Sequence, residues 1–201
     1  MNELKLENKK IGLVVVAHPD DETIWCGGIF LRYPKVHWTV FSLCRLSDAD
    51  RKPKFFKVMK KYGVSSLMTD LEDEGIMNVK QSIPVIKKLI LKNLKNKKID
   101  YIFSHNLNGE YGHERHIGVH LAIQELFKEK KLLAQKKYFF CYKTNAKKKI
   151  LNDDKKANHY LNLTMREWQQ KKKIVNELYG FSKKSFEYVS CLKKETYQLS
   201  G

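Results

Sequence analysis

The chain has 201 residues, of which 42% are hydrophobic, and a formal net charge of +17. It is long enough to bury a core as one domain over residues 1–201, and its longest uncharged apolar run is far too short to span a membrane. The four cysteines (26, 44, 141 and 191) lack Cys-x-x-Cys spacing and Met1–Lys5 lacks the apolar core of a signal peptide, so neither a structural zinc site nor a disulfide framework is indicated, and reduced thiols in a cytoplasmic protein are expected.

In chain order, the first strand is predicted over 11–17, where the β-branched run Ile11–Val16 has the composition of a strand buried on both faces. It leads straight into Ala17-His18-Pro19-Asp20-Asp21-Glu22, one imidazole and three carboxylates around a proline-stiffened turn. In an open α/β sheet this strand end is where ligands bind. A helix is predicted over 22–32, a strand over 36–43, and a helix over 53–62 that opens at Pro53. A strand at 66–70 precedes an amphipathic helix at 79–95. The strand at 100–104 runs into a second polar cluster, Ser104-His105-Asn106-Leu107-Asn108-Gly109-Glu110-Tyr111-Gly112-His113-Glu114-Arg115-His116. A helix at 116–131, a strand at 137–142 and a helix at 164–179 complete the order. Strands alternating with helices of this length predict parallel βαβ units in a layered, Rossmann-like, mostly parallel α/β sheet with flanking helices.

Two strand ends that each deliver histidine and acid suit a mononuclear site of two imidazoles and one carboxylate, the donor set of Zn²⁺ with an open position for water. His18 and Asp21, three apart, can face one point as the chain turns, while Asp20 between them must point elsewhere. This spacing suggests His18 and Asp21 as ligands and Asp20 as a general base for the acidified water. Glu22 either supports a ligand or sits in a helix's first turn. In the second cluster His113, His116 and His120 compete, because any adjacent pair can share a helix face. His113-Glu-Arg-His116 is one residue short of the zinc-peptidase signature, so that class is not supported. His105 is either a supporting residue or a satisfied core histidine, His120 a helix-face residue, and His37 and His159 stand alone. Tyr111, in a glycine-rich loop, offers a phenol to a developing oxyanion.

The motifs Ala17–Glu22 and Gly109–His116, in this order, resemble the PIG-L/LmbE-like family of zinc-dependent N-acetylglucosaminyl deacetylases, and the element order is compatible over nearly the whole chain. The resemblance implies His18, Asp21 and His116 as ligands to zinc, or to another divalent ion such as Fe²⁺, with Asp20 as general base. It leaves His113 beside the substrate carbonyl, where its protonated form would stabilise the oxyanion and protonate the leaving amine. It gives Tyr111 a substrate-binding and transition-state role. It further implies that Arg51, with Arg45 as the alternative, grips substrate hydroxyls or phosphate, and that Asp73 contacts the sugar. The chain departs from relatives at Glu114-Arg115, where they often carry Pro-Asp. An Asp there can orient the catalytic histidine. Arg115 cannot, and as a neighbouring cation it would lower the pKa of His113, leaving Glu110 or Glu114 to substitute.

Of the net charge, +12 lies in residues 128–201, which hold 19 Lys/Arg against 7 Asp/Glu. Such a field attracts polyanions, and contact with an anionic membrane face or a phosphate-bearing substrate is compatible with it. No nucleic-acid-binding motif accompanies the lysine runs, which therefore read as a solvated surface. The expected activity is removal of the N-acetyl group from an amino sugar or its conjugate. The alternatives are an amide hydrolase acting on a non-sugar N-acyl group, and a basic nucleic-acid-binding protein with a vestigial metal site.

Overall fold

The computed structural model describes residues 1–94, 98–153 and 155–200. At its centre, β2 (Ile11–Val16) sends Val14 and Val16 into one apolar cluster and Leu13 and Val15 into another, the two-faced burial its β-branched run requires. It is flanked in parallel by β3 (His37–Cys44) and β5 (Tyr101–Ser104). Beyond β3 lies β4 (Ser65–Leu71), and beyond β5 lies β6 (Lys136–Phe140), both again parallel. The far edge turns antiparallel: β10 (Lys194–Ser200) pairs with β6 and with β9 (His159–Asn162), and the short β1 (Asn2–Glu3) runs parallel to β9. The sheet order is β1-β9-β10-β6-β5-β2-β3-β4. A hairpin of β7 (Tyr142–Thr144) and β8 (Ile150–Asn152) stands apart from it.

One face of the sheet is covered by α1 (Asp21–Arg32), α2 (Arg51–Tyr62), α6 (Met165–Lys173, continued by the π-helical turn Ile174–Leu178) and α7 (Phe186–Ser190). The other is covered by α3 (Val79–Asn93) and α5 (Glu114–Lys128), with the short α4 (Gly109–Gly112) preceding α5. The predicted α/β class and mostly parallel sheet are the observed ones. No helix among the described residues is long and apolar enough to cross a membrane.

The differences from the predicted elements have local causes. Helix α2 begins at Arg51, and Pro53 occupies its first turn, where a missing N–H leaves no bond unmade. The predicted helix 79–95 ends at Asn93, and Lys95 lies outside the described residues. Helix α5 starts at Glu114 because His113 caps it, accepting the Arg115 N–H. The predicted strand 137–142 breaks at Cys141: its N–H bonds to Thr196 O, while Tyr142 turns away to pair with Asn152.

The topology decides where the site forms. The register runs from Gly12↔Tyr101 to Val15↔Ser104, so the two motif-bearing turns leave the sheet side by side at its carboxyl edge. After β2 the chain proceeds to β3 and β4 on one side and returns to β5 on the other, which makes this the switch point where α/β sheets open a crevice. Helix α1 is also anchored away from the site. Its backbone kinks at Cys26 (φ −146°, ψ 20°). Gly28 N–H donates to Glu195 Oε1 (2.9 Å), which also takes Lys171 Nζ (2.7 Å), while Glu195 Oε2 accepts Tyr197 O–H (2.7 Å).

Candidate metal centre

The turn out of β2 is strained where it meets the pocket. Asp20 has φ 143° and ψ −29°, a conformation that costs a non-glycine residue about 1–3 kcal/mol and persists only when its surroundings over-determine it. Those surroundings are present. Asp20 N–H donates to Glu22 Oε2 (3.1 Å), and buried Glu22 is itself held by Thr23 O–H (2.6 Å) and Tyr179 O–H (2.7 Å). Burial pushes the Glu22 carboxyl up to about 7. Glu22 stands in the first turn of α1 and holds the Asp20 backbone; none of its partners among the described residues is His18, Asp21 or His116.

Three ligand atoms meet at the end of this turn. His18 Nδ1 lies 3.2 Å from Asp21 Oδ2, His116 Nε2 lies 3.3 Å from the same oxygen, and the two nitrogens are 3.3 Å apart. A tetrahedral zinc ion with bonds of about 2.0–2.1 Å would space its ligands by about 3.3–3.4 Å, so this triangle fits one face of such a site. The surrounding contacts aim the ligands. Trp25 Nε1–H holds the other Asp21 oxygen (2.8 Å). His116 Nδ1–H donates to Glu110 Oε2 (2.6 Å), which leaves Nε2 with its lone pair toward the triangle. Burial would raise the Asp21 carboxyl, but its close contacts with the His116 and His105 rings hold it well below the usual range.

His105 lies near the same oxygen (3.5 Å), yet both its ring nitrogens are engaged: Nδ1–H donates to Glu110 Oε2 (2.7 Å) and Nε2 accepts Ala17 N–H (3.0 Å). It therefore braces the site and is not a free ligand. Glu110, read from sequence as a stand-in partner for His113, instead bridges His105 and His116 from a left-handed backbone position (φ 57°). His120 reaches His105 O (3.0 Å) and packs on Phe139, as a helix-face residue would. His159 lies at the far sheet edge and His37 at the opposite end of β3.

The triangle lies beside a pocket of about 350 Å³ whose lining includes His18, Asp20, Asp21, Arg45, Arg51, Asp73, Tyr111 and His113. Asp20, buried, is pushed well above the usual carboxylate range by desolvation and by the charge of Asp21, against the opposing pull of Arg51, whose Nη1–H donates to its Oδ2 (2.9 Å). Arg51 also stacks over Phe181 at 4.6 Å. Tyr111 is half-exposed, its ring edge-on to Phe186 at 4.8 Å and near His113 at 5.6 Å. Asp73 stands at the other wall, with Oδ1 3.0 Å from His18 Nε2 and Oδ2 accepting from Arg45 Nη2 (2.9 Å). Arg45 is thus committed to Asp73 and Glu74, and Arg51 to Asp20.

The expectation that Arg115 bears on the protonation of His113 is corrected. The buried Arg115 side chain turns to the 72–77 loop, donating to Glu72 O and Glu72 Oε2 (both 2.8 Å) and to Met77 O, and so clamps the segment that carries Asp73. Its backbone is what orients His113, for Arg115 N–H donates to His113 Nδ1 (3.2 Å). That bond requires an unprotonated Nδ1 and puts the ring hydrogen on Nε2. Desolvation, then the neighbouring His116 and His18 rings, bring His113 down to about 4, the direction of a neutral ring. Spacing alone signalled none of this. The one cue was the break in the family pattern at Arg115.

Residues 13–127 match the family described as PIG-L, GlcNAc-PI de-N-acetylase. Uncharacterized protein L374 of Acanthamoeba polyphaga mimivirus is 24% identical over 185 residues, covering 84% of this chain and 75% of that protein. Among solved structures, the N,N'-diacetylchitobiose deacetylase of Pyrococcus horikoshii aligns with a TM-score of 0.72 at 14% identity, over 95% of this chain and 84% of that one. The 4-carboxy-2-hydroxymuconate hydratase GalB of Pseudomonas putida KT2440 aligns with a TM-score of 0.66 at 15% identity, over 94% and 95%. At these identities the structural likeness concerns the fold.

Proposed function

The chain belongs to the PIG-L (GlcNAc-PI de-N-acetylase) family, and from that premise we propose that it is a metal-dependent N-deacetylase of an N-acetylated amino sugar or sugar conjugate. The same fold serves a hydratase in GalB, so the reaction is inferred from the site and the family. The observation that carries it is the triangle of His18 Nδ1, Asp21 Oδ2 and His116 Nε2, with edges of 3.2–3.3 Å, opening on a pocket that Asp20, Tyr111 and His113 also line.

These three residues would hold the ion, proposed as Zn²⁺ with Fe²⁺ as the alternative. When bound, such an ion acidifies water and polarises the acetamide carbonyl. Asp20 takes the proton of the attacking water and returns it to the departing nitrogen, so that water and amide become acetate and free amine. His113, neutral and held through Nδ1, donates Nε2–H to the developing oxyanion, and the Tyr111 phenol donates from the pocket mouth. Arg51 steadies Asp20 and offers its remaining N–H groups to sugar hydroxyls. Asp73, proposed as a sugar contact, also faces His18 and so can serve as an orienting carboxylate for that ligand. A single domain and a small-molecule substrate suit a sheet that takes strands from Asn2 to Ser200 and a pocket of this size. The buried thiols suit a reducing compartment, the cytoplasm.

The test is acetate release from a panel of N-acetylated sugars, free, nucleotide-linked, lipid-linked and attached to an aglycone. One class should release acetate in step with free amine. Release from non-sugar N-acyl amides alone would move the substrate outside sugars, and no release from any member would remove the deacetylase reading.

A further inference from the structure

The edge of His18 that faces away from the triangle is also chemically equipped. His18 Nε2 is buried and faces Asp73 Oδ1 at 3.0 Å. Cys44 closes this corner from the end of β3. Its N–H donates to Ala17 O (2.9 Å), which fixes the strand end beside the His18 turn, and its thiol is buried. A ring nitrogen of His18, the Cys44 sulfur and an Asp73 oxygen all lie within 4.8 Å of one another. Asp73 is held from behind by Arg45 Nη2 (2.9 Å), and its loop is clamped by Arg115, so the three donors come from three separate, anchored segments.

We propose that His18 Nε2, Cys44 Sγ and Asp73 Oδ1 form a second, sulfur-containing cation site, selective for thiophilic divalent ions, whose occupation suppresses turnover. Thiolate, imidazole and carboxylate together suit Zn²⁺ and its softer relatives and do not suit Mg²⁺ or Ca²⁺, which prefer all-oxygen shells. Binding replaces the thiol proton, which passes to solvent. Inhibition follows from the shared imidazole. A neutral ring carries one lone pair, so His18 cannot serve the triangle through Nδ1 and the sulfur site through Nε2 at once.

Cadmium is the probe, because its bond to thiolate absorbs in the ultraviolet whether or not the protein is active. Titration of the chelator-stripped full chain should raise that band in the wild type and in His116→Ala, which disables the triangle and spares the sulfur site. The band should vanish in Cys44→Ser and need at least about tenfold more Cd²⁺ in Asp73→Asn, within the range seen when a site loses a supporting carboxylate. Turnover by Cys44→Ser should match the wild type without added cadmium and should tolerate at least about tenfold more Cd²⁺, a shift of about 1.4 kcal/mol in affinity. A band that persists in Cys44→Ser, no band in folded wild type, or equal inhibition of both proteins overturns the site. Should no sugar be deacetylated, the absorbance titrations still decide, so failure of the sulfur site and failure of the proposed reaction are told apart.

Discussion

At the scale of single residues, Glu110 sets the geometry of two imidazoles at once. Its Oε2 accepts from His105 and His116, and its Oε1 accepts Asn106 N–H (3.0 Å), so all three partners donate. A glutamine cannot satisfy them, because turning its amide oxygen toward the histidines points its NH₂ at the Asn106 N–H. Glu110→Gln should therefore weaken ion affinity by about 10–100-fold while leaving the three ligands in place, which a competition titration against a chelator measures. Unchanged affinity would mean that the ligand orientation is set elsewhere. His18, Asp20 and Asp21 stood out in the sequence by their spacing at a strand end, whereas His113 and His116 were separated from His120 only by the resemblance to the family. The bracing pair His105–Glu110 and the Arg115 clamp did not stand out. Their roles depend on which way a buried side chain turns, and for Arg115 the backbone N–H matters more to His113 than the charge.

At the scale of elements, α1 and α6 are tied by interactions that hold the first motif in place from behind. Arg32 Nε and Nη2 donate to the two oxygens of Glu167 (both 2.7 Å), and Glu167 also caps the start of α6 at Thr164. Hydrogen bonding from Arg32 brings the Glu167 carboxyl down to about 2. A folded-state pKa below the ordinary carboxylate value means that this stability is fully present above about 4.5 and is lost as pH falls toward about 2. Glu167→Gln should thus melt below the wild type at pH 7, and the gap should close in acid; a gap independent of pH would contradict the assignment. Deeper in, Lys171 and Glu195 are both fully buried. Lys171→Met leaves the Glu195 charge with only the Gly28 N–H and Tyr197 O–H, and should cost about 3–5 kcal/mol in denaturant unfolding. A loss below about 1 kcal/mol would show the pair to be dispensable. The parallel half of the sheet was legible because β2 and β5 carry compact apolar runs and the strands alternate with amphipathic helices. The antiparallel edge was not, because β9 and β10 lie among lysine-rich segments and find their partners only across distant sequence. The π-helical turn after α6 has no periodicity distinct from the helix that precedes it.

At the scale of the whole molecule, the charge of +17 is set against a pocket whose lining carries Asp20, Asp21, Asp48, Asp73 and Glu187 beside Arg45 and Arg51. The positive field is thus not concentrated where the substrate binds. For a neutral N-acetyl sugar, kcat/KM should change by less than about twofold as the Debye length shrinks from about 10 Å at 0.1 M salt to about 3 Å at 1 M. A steep fall would assign the lysine-rich surface a part in substrate capture. The fold brings the ends of β2 and β5 together with the His18–Asp21–His116 triangle between them, and the proposed chemistry depends on that triangle being filled. The most direct test removes the ion with a chelator and returns Zn²⁺ stepwise while acetate release from an N-acetylated sugar is followed. Activity should rise in proportion to bound metal up to one ion per chain. Asp20→Ala should bind the same ion yet lose roughly 10²–10⁴ in rate, and His116→Ala should fail to retain it. Acetate release that is indifferent to metal removal, or its absence with one ion bound, would contradict a metal-dependent deacetylase.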